Sequence, residues 1–134
     1  MVESIINSQH NKIATSVNMG TTKAVVSGSA GFLGRKLAFR LLQVNISVLG
    51  VDLGPPRFSM TVYQHIKASI SQAGDSIMAH LKEGGVFFHM AGLADRRHCE
   101  KSPADAFAAN VALTFTALDI CERIGNVKFM LPST

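Results

Sequence analysis

The stretch VVSGSAGFLG, residues 25–34, limits what this chain can fold into more than any other feature. An apolar run ends in three glycines at a fixed step of three, Gly28, Gly31 and Gly34. An amphipathic segment follows at once, with Leu33, Leu37 and Leu41 recurring every fourth residue and Arg35, Lys36 and Arg40 off that stripe. Apolar run, glycine turn and helix in that order read as a strand feeding a crossover helix, which Leu33 and Leu37 are expected to pin to a sheet. The pattern continues along the chain. KAVVSG, ISVLGVD, VFFHMAG and VKFML are short, nearly continuous apolar runs, as strands buried on both faces of a parallel sheet are. Helical stretches separate them, one over about 71–82 and another from Ser102 to about Arg123, where Ser102 can cap and Pro103 can occupy the first turn. TVYQHIKA alternates like a further strand. The expected class is α/β, a doubly wound parallel sheet.

Length and composition narrow the function. With 134 residues, 47% hydrophobic and 16% charged, the chain suits one globular domain. Residues 1–22, rich in Ser, Asn and Thr and without a sustained period, read as a flexible extension, leaving 23–134 for the domain. A formal charge of +4, scattered along the chain, describes a solvated surface rather than a nucleic-acid footprint. Cys99 and Cys121 form no paired motif, so neither a disulfide framework nor a zinc site is expected, and a reducing cytoplasm is the expected compartment. No run approaches the roughly eighteen consecutive apolar residues of a membrane span, and the first residues do not read as a signal peptide, so no membrane role is expected. His89, His98 and Cys99 match no common metal spacing. His89, at a strand end, reads as a hydrogen-bonded structural histidine, and no metal is expected. Arg96, Arg97 and Lys101 read first as a solvated loop and second as a cluster that could meet an acidic substrate.

The glycines can now be given a chemistry. A tight strand-to-helix turn, and close approach of a pyrophosphate to backbone N–H groups at a helix N-terminus, both require residues without a side-chain penalty. Asp52, eighteen residues past Gly34 at the end of ISVLGVD, is placed to accept hydrogen bonds from both hydroxyls of an adenosine ribose. The same carboxylate repels a 2′-phosphate, which favours NAD over NADP, while Arg35 and Arg57 stay open as receivers of such a phosphate. No Gly-Lys-Ser/Thr follows the turn, so a Walker loop is excluded.

In order and spacing, SGSAGFLG, VDL, FFHMAGLAD, SPADAFAANV and KFMLPST resemble the N-terminal half of the extended short-chain dehydrogenases, the NAD-dependent epimerase/dehydratase family, from about Lys23 to Thr134. The resemblance implies a Rossmann-type sheet of order 3-2-1-4-5, truncated after the fifth strand. It implies a cofactor site of Gly28, Ala30, Gly31, Phe32, Leu33 and Gly34 at the pyrophosphate, Asp52 at the adenosine ribose, and Ser69 at the adenine. Met90, Ala91, Gly92 and Leu93 would lie along the cofactor toward its nicotinamide, with Asn110 nearby. An Asn satisfied by a neighbouring loop is the alternative at that position. Thr134 matches the hydroxyl that meets the reacting substrate oxygen.

Three departures accompany the match. Ser27 stands where the family usually has Thr, and Ser69 where it commonly has Asp. Only sixteen residues separate Asp52 from Ser69, too few for a strand and a helix, so the second crossover is expected to shrink to a Gly-Pro-Pro loop, a compactness shared with some sterol-acting members. The family's acid/base Tyr and the Lys four residues on lie downstream of KFMLPST, so the 134-residue chain alone is expected to be inactive. Tyr63 and Lys67 have that spacing but fall in a strand-like stretch, where they stand about 13 Å apart. The expected function is the dinucleotide-binding portion of an NAD-dependent epimerase, dehydratase or dehydrogenase acting on a hydroxyl of a nucleotide sugar or related small molecule. A non-catalytic dinucleotide-binding protein and a hydroxysteroid-type dehydrogenase are the alternatives. The 103–123 helix, apolar on a stripe through Phe107, Val111, Thr114, Leu118 and Cys121 and on another through Leu113 and Ile120, is expected to pack twice, as the family's dimer helix does.

Overall fold

The computed structural model describes residues 22–133, so the 1–21 part of the expected extension, and Thr134, lie outside the described residues. Five parallel strands, β1 (Lys23–Ser27), β2 (Ser47–Asp52), β3 (Tyr63–Lys67), β4 (Gly85–His89) and β5 (Val127–Met130), form one sheet in the order β3-β2-β1-β4-β5. The alternation of side chains along these strands feeds two apolar layers. On one face Ala24, Val26 and Val48 pack with Ala38 and Leu42 of helix α1 (Phe32–Gln43). On the other, Val25, Leu49, Val51 and Phe87 pack with Ile77 of α2 (Gly74–His80) and with Ala117, Ile120 and Cys121 of the last helix. Full burial of a side chain such as Phe87 or Ile77 contributes about 1.5–3 kcal/mol, and both are 0% exposed.

Helix α1 turns a different stripe inward than its leucines suggest. Gly34, Ala38 and Leu42 are the buried positions, Leu37 and Leu41 flank them, and Leu33 is 60% exposed. Small residues let the helix axis approach the sheet, and a search for bulky apolar periodicity passes over them.

The β2–β3 connection has no helix. In its place Phe58 of the loop stacks on Tyr63 with centroids 4.5 Å apart and meets Phe39 of α1 edge-on at 5.9 Å, so aromatic rings fill the layer a crossover helix would occupy.

After β4 come α3 (Arg96–Lys101), α4 (Pro103–Phe107), a π-helical segment (Ala108–Ala112) and α5 (Leu113–Ile124), the last three running as one helical stretch. Asp95 caps α3 by accepting from His98 N–H at 2.7 Å. Pro103 occupies the first turn of α4 as expected, but the Ser102 side chain makes no capping bond to it. Gly125, at φ 91°, ends α5. The stretch Pro103–Ile124 is long and apolar enough by length and composition to cross a membrane, which counting consecutive apolar residues does not reveal. It docks on the sheet through Ala117, Ile120 and Cys121, with Leu113 partly buried beside them. Of the stripe Phe107, Val111, Thr114, Leu118 and Cys121 only Cys121 is buried, and Phe107 stands 62% exposed.

Candidate functional site

The three glycines serve three separate needs. Gly28, at φ 68°, lies in the left-handed region, and a Cβ there would stand 2.7 Å from the backbone nitrogen of Ala91. A Cβ on Gly34 would run into the Gly28 carbonyl, so the third glycine lets α1 seat on its own turn. Gly31 is the N-cap of α1 with an ordinary φ of −71°, and a Cβ there would meet only the Gly28 oxygen, at 3.2 Å. No side chain fills the space over Gly31, at the mouth of a helix N-terminus whose dipole favours an anion.

A cleft of about 340 Å³ opens at the C-terminal ends of the strands, where β1 leads to one side of the sheet and β4 to the other. Gly28, Gly31, Asp52, Ser69, Met90, Ala91, Gly92 and Leu93 line it, together with Val51, Leu53, Ala68, Ile70, Ala109 and Leu113. Ala30, Phe32, Leu33, Gly34 and Asn110 do not. Ala30 acts through its N–H, Gly34 is buried under the turn, Leu33 points to solvent, and Phe32 is exposed with the Lys36 Nζ 4.2 Å above its ring.

At one end of the cleft the Asp52 carboxylate is fixed from both sides. Ala30 N–H of the glycine turn donates to Oδ2 at 2.9 Å and Gly54 N–H to Oδ1 at 2.7 Å. A carboxylate oxygen accepts two hydrogen bonds, so each keeps a lone pair for a ligand. Beside it Ser69 is engaged locally, its hydroxyl bonded to Ser71 and Gln72.

The other end is held by a directed chain of hydrogen bonds. Ser27 Oγ accepts from both Met90 N–H and Ala91 N–H at 3.1 Å, so its own proton goes to His89 Nδ1, 2.8 Å away. His89 therefore carries its proton on Nε2 and donates to Thr114 Oγ1 at 3.0 Å, whose hydroxyl donates to the Asn110 carbonyl at 3.0 Å. Burial holds the His89 pKa below the ordinary imidazole value, in keeping with a neutral ring. Asn110 sits in the π-helical segment, where an extra backbone residue per turn redirects a side chain. Its amide clasps Leu93 at both ends, Oδ1 accepting from Leu93 N–H at 2.7 Å and Nδ2 donating to Leu93 O at 3.0 Å. Asn110 is thus bonded to the loop that lines the cleft without lining the cleft itself.

Other candidates are dispersed. Tyr63 and Lys67 are strand residues paired with Val48 and Asp52, and the Tyr63 hydroxyl lies behind β2, bonded to His65 Nδ1 at 2.9 Å. Burial, first of all, raises the Tyr63 pKa. His98 pairs with Asp105 at 3.3 Å, and among the described residues no three His, Cys, Asp or Glu side chains converge. Arg35 and Arg57 share a separate groove of about 550 Å³ with Lys36, Arg40 and Phe58. The sequence pattern pointed to the β4–α3 loop but not to Ile70, Ala109 and Leu113 of the cleft lining, nor to the π-helical form of the segment that carries Asn110. The Asn of SPADAFAANV was the available signal.

A strand-turn-helix cradle over a carboxylate at the second strand's end defines a nucleotide-binding α/β domain. The chain belongs to the NAD dependent epimerase/dehydratase family, whose sequence model matches residues 24–134. It is 27% identical over 135 residues to UDP-glucuronic acid decarboxylase 4 of Arabidopsis thaliana, covering 96% of this chain and 29% of that one. To a probable UDP-glucuronate 4-epimerase of Rhizobium meliloti it is 25% identical over 124 residues, covering 82% of this chain and 36% of the relative. The chain therefore spans about a third of the length of these relatives. Among solved structures its fold superposes on the UDP-glucose 4-epimerase of Thermotoga maritima, solved with UDP-glucose, at a TM-score of 0.74 and 24% identity, over 84% of this chain and 38% of that one. It matches the Bordetella bronchiseptica enzyme WbmF in complex with NAD+ at 0.71 and 24%, over 83% and 36%.

Proposed function

We propose that this chain is the dinucleotide-binding portion of an NAD-dependent enzyme that acts on a hydroxyl of a nucleotide sugar. The observation that carries this reading is the pairing of an open Gly31 cradle with a two-sided clamp on Asp52 along one cleft. Gly31 and the first turn of α1 would hold the pyrophosphate, Asp52 the adenosine ribose, and Met90 to Leu93 the nicotinamide half. A bound NAD supplies a two-electron hydride acceptor. The protein's own part is to orient that acceptor: Ser27, His89, Thr114 and Asn110 keep the 90–93 loop in place, and the apolar lining of Ile70, Met90 and Leu113 excludes water.

NAD over NADP follows from the carboxylate at Asp52, and nucleotide sugars are the substrates named for the relatives. Groups that bind the substrate and move its proton would come from the remaining two thirds of a relative-sized protein, with a hydroxyl at Thr134 beside them. In this reading the exposed Phe107, Phe115 and Leu118 meet a second subunit, and the protein works in the cytoplasm. The test is turnover. The 134-residue chain should bind NAD yet reduce none of it with UDP-sugars, while a relative-length version should reduce it. Turnover by the short chain that is lost in Tyr63→Phe with the fold intact would contradict the assignment.

A further inference from the structure

We propose that His65, held by Tyr63, is a positioning residue that makes the cleft prefer NAD to NADP by fixing Gly54 beside Asp52. The inference rests on the reading of Asp52 as the partner of the adenosine ribose. It starts from a missing side chain. Gly50 lies in β2 opposite His65 of β3, and a Cβ on it would collide with the Tyr63 hydroxyl and stand 2.7 Å from Ser29 Oγ. The gap over Gly50 thus admits polar groups from β3 and from the glycine turn into a layer that is otherwise apolar.

Donor and acceptor roles follow from chemistry. His65 Nε2 is 2.9 Å from the Gly54 carbonyl, which only accepts, so Nε2 carries the hydrogen. Nδ1 is left to accept from Tyr63 O–H at 2.9 Å, while Ser29 Oγ at 3.5 Å is too far to compete. Gly54 passes the constraint on, since its N–H donates to Asp52 Oδ1 at 2.7 Å. The β2–β3 loop has no helix to stiffen it, so this tie is what sets the carboxylate plane from the loop side. Arg57, three residues beyond Gly54, lines the same groove as Arg35. With the tie intact the loop presents a carboxylate to the ribose. With it cut, Asp52 turns more freely and the guanidinium is released toward a 2′-phosphate.

Calorimetric titration of the 134-residue chain with NAD and with NADP, accompanied by thermal melts, tests this. His65→Ala should weaken NAD binding roughly five- to tenfold, the worth of one well-placed hydrogen bond, and leave NADP binding equal or tighter. His65→Gln, whose side-chain N–H can still reach the Gly54 carbonyl, should restore most of the preference. Tyr63→Phe keeps the ring against Phe58 and should give a smaller loss in the same direction; with His65→Gln it carries the test if His65→Ala does not fold. Unchanged NAD affinity in His65→Ala, or equal losses for NAD and NADP, would overturn the proposal while leaving the cleft assignment standing. A wild-type chain that binds neither dinucleotide would overturn both.

Discussion

The two ends of the cleft are built on different plans. At the β2 end one carboxylate, Asp52, faces the cleft, oriented by backbone N–H groups from two loops. At the β4 end, the lining is backbone, and the side chains that matter stand behind it: Ser27 and His89 are buried and relay a single direction of hydrogen bonding into the π-helical segment. The first end turns a charged side chain into the cleft. The second is a scaffold, rigid in its interior and flanked by exposed Phe107, Phe115 and Leu118. One end of the cleft is thus finished by a side chain set between two backbone groups, and the other by backbone held from behind.

The largest expected effect comes from the turn both ends share. Gly34→Ala drives a methyl group into the Gly28 carbonyl and should cost about 3–5 kcal/mol of stability, read by chemical denaturation, with dinucleotide binding lost. Gly31→Val separates binding from folding. Its Cβ has only the Gly28 oxygen nearby, so the protein should melt within a few degrees of wild type yet lose detectable NAD binding by calorimetry. Wild-type affinity in a folded Gly31→Val would remove the cradle from the account.

Cutting the buried relay tests the second end. His89→Leu leaves the Ser27 hydroxyl without its acceptor and should cost about 2–3 kcal/mol, with a smaller change in NAD affinity than in stability. The same histidine predicts a pH dependence. Its folded pKa lies below the unfolded value of 6.5, as does that of His80, where burial is again the largest cause. The unfolded chain then takes up more protons as pH falls below 6.5, so the contribution is complete above that pH and is lost on acidification toward the folded pKa. The slope should reach at most about 1.4 kcal/mol per pH unit for each group, and it should flatten in the His89→Leu variant. The smallest effect is expected for Asn110→Ala. It frees both backbone groups of Leu93 and should cost about 1 kcal/mol, with faster amide exchange confined to the 90–95 loop.

What was legible in the sequence follows the same division. Strands and the glycine turn were readable because apolar runs and backbone permissiveness are written in residue type, the strand order came only through the family resemblance, and the shortened β2–β3 crossover could be counted from Asp52 to Ser69. The buried face of α1 was misread, since Gly34 and Ala38 make contact by being small while Leu33, the bulkier residue, faces solvent. Ser102 makes no capping bond, its hydroxyl being engaged with the Asp105 side chain instead of a backbone N–H of α4. The relay from Ser27 to Asn110 and the tie from Tyr63 to Gly54 join residues up to 64 positions apart, or depend on a missing Cβ at Gly50. No local periodicity encodes either. Tyr63 and Lys67 show the converse, a familiar helical spacing that falls within a strand.

The central claim is that this stretch by itself builds the adenosine end of an NAD site. Calorimetric titration of the purified chain with NAD and NADP, repeated on Asp52→Ala, addresses it most directly. NAD should bind at least about tenfold more tightly than NADP, a difference of about 1.4 kcal/mol, and the preference should vanish in Asp52→Ala. Tighter binding of NADP, or a preference that survives the loss of Asp52, would contradict it.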